Sequence, residues 1–169
     1  METNTVKDKK SNQDIYDSIK RERKLPYYND PEYLGEHASN WAIFITKALK
    51  KNNSKFQTQN FETINKISTH QIRRYYSEFK SIERSIDSYN NDKIKEEWLN
   101  IYHRIKLLAA KAKYDSKRQM NSLPWEFELF ISLCVKSIPS DCEKGIQSFK
   151  NICLFFEAIV GYSSQYTKS

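Results

Sequence analysis

Hydrophobic side chains recur every three or four residues along most of this chain, which is the repeat of an amphipathic helix. The stretch from Ser68 to Asp87 shows the repeat clearly, and it begins with Ser68 and Gln71 at the spacing of a capping box. In that motif each side chain accepts a hydrogen bond from a backbone N–H group that the first helical turn leaves unpaired. The pattern predicts one helix with an apolar stripe formed by Ile72, Tyr75, Tyr76, Phe79, Ile82 and Ile86.

The same repeat predicts four further helices, over residues 32–49, 93–118, 125–135 and 141–162. Residues 125–135 also alternate as a strand would, but Phe130 and Cys134 break the alternation and no second strand is evident to pair with it. A helix is therefore predicted there as well. With only 3 glycines and 4 prolines in the chain, a turn-rich sheet protein is disfavoured. The predicted fold is all-α, a compact bundle of about five helices.

Polar residues at both ends divide the chain into three parts. Residues 1–31 are rich in Lys, Asp, Asn and Ser, which predicts a flexible or loosely docked arm that holds at most one short helix around Tyr16 and Ile19. Residues 32–162 form the single helical-bundle domain, with a connector or short turn over 56–65. Residues 163–169 are a polar tail.

Positive charge is concentrated in the middle of the chain. The sequence has 28 Lys and Arg against 21 Asp and Glu, a net charge of +7, and residues 66–120 alone hold 13 basic and 7 acidic side chains. Such a local excess indicates an anionic partner, of which nucleic acid is the leading candidate. The plainer alternative is a helical protein with solvated lysines.

Helix geometry arranges these basic residues along the two central helices. Arg73, Lys80 and Arg84 share one flank of the first helix, with Arg74 further round toward solvent. On the second helix Lys106 and Lys113 share one side, and Lys111 lies on the other. If the helices pack antiparallel, the lysines of the second helix are expected to join the flank of Arg73, Lys80 and Arg84 in one positive ridge, which would follow a phosphate backbone.

The sequence offers no motif for catalysis, a metal or a cofactor. It has no phosphate-binding glycine loop, no HExxH and no nucleophile elbow, and the adjacent Glu96 and Glu97 point in different directions on a helix. Its histidines and its three cysteines lack metal-ligand spacing, and the odd number of cysteines fits a reducing cytosol. No apolar run reaches the length of a membrane span. A cytoplasmic protein that is not an enzyme is therefore expected.

Three stretches together resemble the small subunit of type III-A CRISPR effector complexes. The first is Ile67-Ser-Thr-His-Gln-Ile-Arg-Arg-Tyr-Tyr76, and the last is Phe155-Phe-Glu-Ala-Ile-Val-Gly-Tyr162, which resembles the closing Phe-x-Glu-Ala-aliphatic-x-x-Tyr of that family. Between them, Leu107-Leu-Ala-Ala-Lys-Ala-Lys113 is similar to the family's Lys-Leu-Ala-Tyr-Ala segment, although its tyrosine is missing.

The resemblance implies a five-helix bundle without catalysis of its own. Copies of it would stack beside the other subunits of a ribonucleoprotein and contact the guide RNA and the target RNA through sugar and phosphate. Arg73 matches the family pattern, and Leu154 and Phe155 are candidates for contact with another subunit. The expected RNA-binding residues are Arg73, Arg74, Lys80, Arg84, Lys106, Lys111 and Lys113.

Other readings stay open at this point. The corresponding small subunit of the type III-B complex has a similar helical architecture. A helical adaptor whose basic edge meets an acidic protein would carry the same charge pattern. An enzyme ranks behind these three, because no cluster of carboxylates stands at recognisable spacing.

Overall fold

Helices make up nearly all of the secondary structure. The computed structural model describes residues 11–49, 63–65, 67–120 and 122–167. In chain order the elements are α1 (Asn12–Glu22), a π-helical turn (Tyr33–His37), α2 (Ala38–Thr46), β1 (Lys47–Leu49), β2 (Thr63–Asn65), α3 (Thr69–Ser88), α4 (Asn91–Ser116), α5 (Trp125–Lys136) and α6 (Cys142–Ser163). The predicted helical bundle is confirmed. In the described residues it holds six α-helices rather than about five, because α1 forms within the predicted arm.

Helix α6 packs against both α2 and α3, and α4 packs against α5 and α3. Phe156 of α6 is fully buried and lies at the centre of the aromatic core. The ring of Phe156 has its centroid 5.1 Å from that of Phe130, 5.3 Å from Phe79, 5.6 Å from Tyr76 and 6.0 Å from Phe127. Edge-to-face and tilted pairs at such separations add to the free energy of burying the rings themselves. One residue thus joins α6 to both α3 and α5.

Helix α3 begins at the predicted capping box. The Ser68 hydroxyl accepts a hydrogen bond from the Gln71 N–H group at 3.1 Å, and the Gln71 side chain accepts one from the Ser68 N–H group at 3.0 Å. The same first turn is tied to the end of the chain, because the Thr69 hydroxyl donates to the Thr167 hydroxyl at 2.8 Å. The helix buries the predicted stripe, with Tyr76 only partly covered.

The structure differs in two places from the single helix predicted over residues 32–49. The segment opens as the π-helical turn, and α2 ends at Thr46, after which β1 pairs with β2 in antiparallel orientation. The residues before the break, Ile43 to Thr46, include β-branched side chains, which lower helix propensity. The Thr46 hydroxyl also donates to the Ala42 carbonyl one turn back, a bond that competes with the helical ladder. Part of the predicted connector, residues 56–62, lies outside the described residues.

Helix α1 packs against α2. Its Ile15 is buried, and the Tyr16 hydroxyl donates a hydrogen bond to the buried Glu126 carboxylate of α5 at 2.8 Å. Burial and the bond to Glu126 raise the pKa of the Tyr16 hydroxyl. The first ten residues of the predicted arm lie outside the described residues, and the division at residues 31 and 162 stays a prediction.

Candidate nucleic-acid interface

Two arginines stand on the outer line of α3, opposite its buried stripe. Arg73 and Arg84 are 11 residues apart, close to three helical turns, and both are exposed. Neither forms an ion pair with another described residue. Their guanidinium groups are therefore available to an anion outside the chain.

Lys80 lies on the side of α3 that faces α6. Its ammonium group pairs with the Glu83 carboxylate and lies 3.9 Å from the Glu157 carboxylate of α6. The hydrogen bond to Glu83 raises the pKa of Lys80. The sequence placed Lys80 on one flank with Arg73 and Arg84, but its charge is largely compensated within the protein.

Arg74 braces α3 against α4. Its Nη2 atom lies 2.6 Å from an oxygen of Asp115, and the Tyr75 hydroxyl donates to the same oxygen at 2.8 Å. The Asp115 side chain is only 8% exposed. Burial and the bond to Asp115 raise the pKa of the Tyr75 hydroxyl. The Arg74 side chain keeps 37% exposure, as expected for a residue turned toward solvent, but its guanidinium is held by a buried carboxylate.

The two basic sides of α4 face different neighbours. Lys111 pairs with Glu78 of α3. Lys106, in contrast, donates to the Val135 carbonyl at the end of α5 at 3.4 Å. Lys113 follows Lys106 by seven residues, or two turns, and is exposed on the same side.

The predicted ridge on α3 and α4 therefore forms only in part. Lys111 lies beside α3, whereas Lys106 is held at the end of α5 and Lys80 faces α6. Helix α3 meets the Lys111 side of α4, because the contacts of Asp115 and Glu78 fix that side toward it. We call the outward surface of these two helices the α3–α4 face. Arg104, Leu107, Lys111 and Tyr114 line its groove, and Arg118 lines the adjoining cleft. Arg73 and Arg84 stand on the outer line of α3, where Arg73 also borders Val160 and Ser163 of α6.

Two members of this face were not among the residues predicted to bind RNA, although the sequence places both on the Lys111 side of the second central helix. The guanidinium of Arg104 donates to the Ser85 hydroxyl of α3 at 3.3 Å, and the side chain of Arg118 is half exposed with its Nη1 atom 3.8 Å from Asp115. Arg104 and Lys111 are seven residues apart and lie along one line of α4, and Arg118 follows seven residues later, two residues beyond the end of the helix. The spacing is visible in the sequence, but it does not reveal which basic side of α4 meets α3.

The two residues expected to contact another subunit differ in exposure. Leu154 is 50% exposed. Phe155 is fully buried and stacks on Tyr33 with ring centroids 4.6 Å apart. The expectation for Phe155 is therefore corrected, since its ring has no surface to offer. Leu154 stays a prediction.

Acidic, thiol and imidazole groups are scattered across the described ranges. In residues 11–49, 63–65, 67–120 and 122–167, no three His, Cys, Asp or Glu side chains are grouped so that they could hold a metal ion. Lys93 lies 3.0 Å from Glu97 and 3.7 Å from Glu96. Burial raises the pKa of the Cys134 and Cys153 thiols, which keeps both neutral. No helix in these ranges has both the length and the apolar character needed to cross a lipid bilayer.

The fold and the α3–α4 face define a class of small, basic, helical-bundle proteins. A model of the family Csm2 Type III-A matches residues 31–169, most of the chain. The chain belongs to this family, and it is a small subunit of a type III-A CRISPR effector complex, as the resemblance implied. Comparisons with curated proteins and with solved structures gave no match.

Family membership also orders the alternatives. Because the matching model is that of type III-A, it favours this complex over the type III-B small subunit. Small subunits of this family are generally structural and non-catalytic, and the family implies that the chain works together with the other subunits of the effector complex.

Proposed function

We propose that this chain is a non-catalytic, cytoplasmic subunit that binds guide RNA and target RNA through the sugar-phosphate backbone, without sequence specificity. Several copies stack along the complex. Base pairing between guide and target supplies the sequence information in RNA-guided recognition, so a protein beside the duplex needs only to read charge and shape.

The observation that carries this proposal is the uncompensated charge of Arg73 and Arg84. An arginine without an intramolecular carboxylate can donate two parallel hydrogen bonds to a phosphate without breaking a contact that stabilises the fold. Before it can bind a phosphate, Lys80 must break its ion pair with Glu83, and Lys111 must break its ion pair with Glu78. Arg74 is held by Asp115. Lys106 and Lys113 form a second, smaller basic edge beside α5.

A salt titration tests the backbone contacts. The affinity of the full chain for a single-stranded RNA is measured against salt concentration, for the natural protein and for the double variant Arg73→Glu, Arg84→Glu. Each phosphate contact that is lost flattens the slope of log affinity against log salt by about 0.7. We expect a weaker affinity and a slope reduced by about 1.4, for two lost contacts.

The matched control is Arg21→Glu, Lys144→Glu, which changes the net charge by the same amount at two exposed positions on α1 and α6. We expect its slope to stay near that of the natural protein. Equal losses in both variants would mean that overall charge, not the α3–α4 face, governs binding. Absence of RNA affinity for the chain, both alone and assembled with its complex, would favour the adaptor instead.

Stacking of copies is tested separately at Leu154. We expect Leu154→Glu to reduce self-association or the number of copies per complex, because it puts a charge on an exposed apolar site. Leu99→Glu, at a leucine of α4 that is 62% exposed, is the control. Unchanged assembly of the Leu154 variant would remove this residue from the proposal.

A further inference from the structure

Tyr114 presents an aromatic ring to solvent on the α3–α4 face. Its side chain is 71% exposed. Its ring and hydroxyl contact no aromatic ring and form no hydrogen bond with other described residues. An isolated exposed tyrosine is ordinary on a protein surface, so the surroundings of this one decide its meaning.

Two concave surfaces meet at the Tyr114 ring. One is a groove of about 520 Å³ between α3 and α4, with Ile82 and Leu108 among its lining residues. The other is a cleft of about 400 Å³ at the end of α4, lined by Lys117, Arg118 and Met120. Tyr114 lines both of them. A flat ligand on this ring would therefore have room for its neighbours on either side.

Cations flank Tyr114 in both directions along the chain, within α4 and just beyond its end. Arg104 and Lys111 line the groove, and Lys117 and Arg118 line the cleft. The acidic side chain that lines the groove, Glu78, is already paired with Lys111. A chain of phosphates with a base at every step matches this order of cation, ring and cation. An apolar protein segment in the same groove would desolvate these cations without pairing them.

We propose that Tyr114 is a base-stacking platform for single-stranded RNA, on which one base lies while phosphates further along the strand on either side contact Arg104 and Arg118. This inference rests on the proposed RNA-binding function and deepens it, since it adds a contact to a base where that function required only the backbone. Stacking tolerates any sequence because every base has a π face, so it preserves recognition without sequence specificity.

Affinity and salt slope, measured together, test the platform. The probe is an oligouridine of about 16 nucleotides, and the variants are Tyr114→Ala, Tyr114→Phe and Arg104→Ala. We expect Tyr114→Ala to weaken binding roughly tenfold, as the loss of one stacked base does. Its salt slope stays unchanged because the ring contacts no phosphate. Tyr114→Phe retains the affinity, whereas Arg104→Ala flattens the slope by about 0.7.

The control for exposure is Tyr28→Ala, at a tyrosine that is 65% exposed in the segment between α1 and the π-helical turn. An effect at Tyr28 equal to that at Tyr114 would overturn the inference. So would a Tyr114→Phe variant as weak as Tyr114→Ala, since the ring alone is proposed to act. Thermal unfolding of each variant shows whether the fold is retained.

The assembled complex gives a second readout that does not depend on the affinity of the isolated chain. With 4-thiouridine in the RNA, we expect ultraviolet cross-links on Tyr114 that Tyr114→Ala abolishes. If the natural chain binds no RNA in either assay, the proposed function itself fails. If it binds RNA and the Tyr114 variants change neither affinity nor cross-links, only the stacking platform fails. Loss of the Tyr114→Ala chain from the complex with RNA affinity intact would identify the groove as a protein-docking site, which also overturns the inference.

Discussion

Helix α3 is held by two different kinds of interface. Toward α6 it packs aromatic rings, with Phe79 stacked on Phe149 at 5.7 Å and edge-on to Phe156 at 5.3 Å. Toward α4 no pair of described aromatic rings joins the two helices, and the strongest contact is the hydrogen bonding of Arg74 and Tyr75 to the buried carboxylate of Asp115. The open groove, and with it the exposed basic surface, lies on this side of α3, between Ile82 and Leu108.

The largest effect is expected on the aromatic side. Phe156→Ala removes a fully buried ring that contacts four others, so it leaves a cavity in addition to the lost burial. We expect the free energy of unfolding to fall by about 3–5 kcal/mol. Urea unfolding measures this, with Leu154→Ala on the same helix as the control at about 0.5 kcal/mol or less. A loss below about 1 kcal/mol would mean that the ring cluster does not anchor α3.

A smaller loss is expected on the polar side. Asp115→Ala leaves Arg74 and the Tyr75 hydroxyl without their shared acceptor. Because the guanidinium of Arg74 keeps some access to water, we expect a loss of about 2–3 kcal/mol. The control is Glu96→Ala, at an exposed carboxylate of the same helix, and it should change stability by about 0.5 kcal/mol or less. If Asp115→Ala lowers the free energy of unfolding no more than Glu96→Ala does, the contacts of Asp115 with Arg74 and Tyr75 contribute nothing to stability.

A substitution at the rim of the groove is expected to change RNA binding while leaving the stability of the fold nearly unchanged. Glu78→Gln removes the partner of Lys111, and surface pairs of this kind contribute about 0–1 kcal/mol. The variant should therefore unfold nearly as the natural protein does, while the released lysine steepens the salt slope of RNA binding by up to about 0.7. Glu157→Gln, on the α6 side, is the matched control and should leave that slope unchanged. A Glu78→Gln variant with unaltered RNA binding would place the bound strand away from the groove.

The smallest effect concerns pH on the α6 side. The pKa of Lys80 is raised above its ordinary value of 10.5 by the hydrogen bond to Glu83. A raised pKa means that the folded state holds the proton more tightly than the unfolded state does. The pair's contribution is therefore complete below that ordinary value and is lost as pH rises through the folded pKa.

We expect the stability difference between the natural protein and Lys80→Met to be about 1 kcal/mol or less near neutrality and to vanish at strongly alkaline pH. Urea unfolding of both proteins across that range measures it. Lys111→Met is the control on the other flank. A difference that grows with alkalinity would contradict the assigned direction.

Sequence reasoning succeeded where one pattern determined the outcome. The capping box and the repeat of apolar residues were enough to define α3, because its stripe is uninterrupted. It failed over residues 32–49, where the same repeat continues into β1. The deciding contacts there, the Thr46 bond within the chain and the pairing with β2, are not part of the repeat.

The candidate site shows the same division. Helix geometry alone predicts the outer line of α3 on which Arg73 and Arg84 lie. Asp115 continues the buried stripe of α4, three residues after Ala112. Because a charged residue at that position is expected to end an apolar stripe, the sequence did not identify Asp115 as the partner of Arg74. Phe155 was misplaced because the end of α6 is apolar nearly all round. Only the position of Tyr33 in three dimensions shows which neighbour covers it.

The hydrogen bond between Thr69 and Thr167 has a practical consequence for anyone who purifies this protein. It fastens the last turns of the chain to the helical turn that carries Arg73. An affinity tag fused after residue 169 therefore pulls on the surface whose binding is to be assayed. A tag placed before α1 is not fused to that attachment, and comparing the RNA affinity of the two tagged proteins would reveal how firmly the first turn of α3 must be anchored.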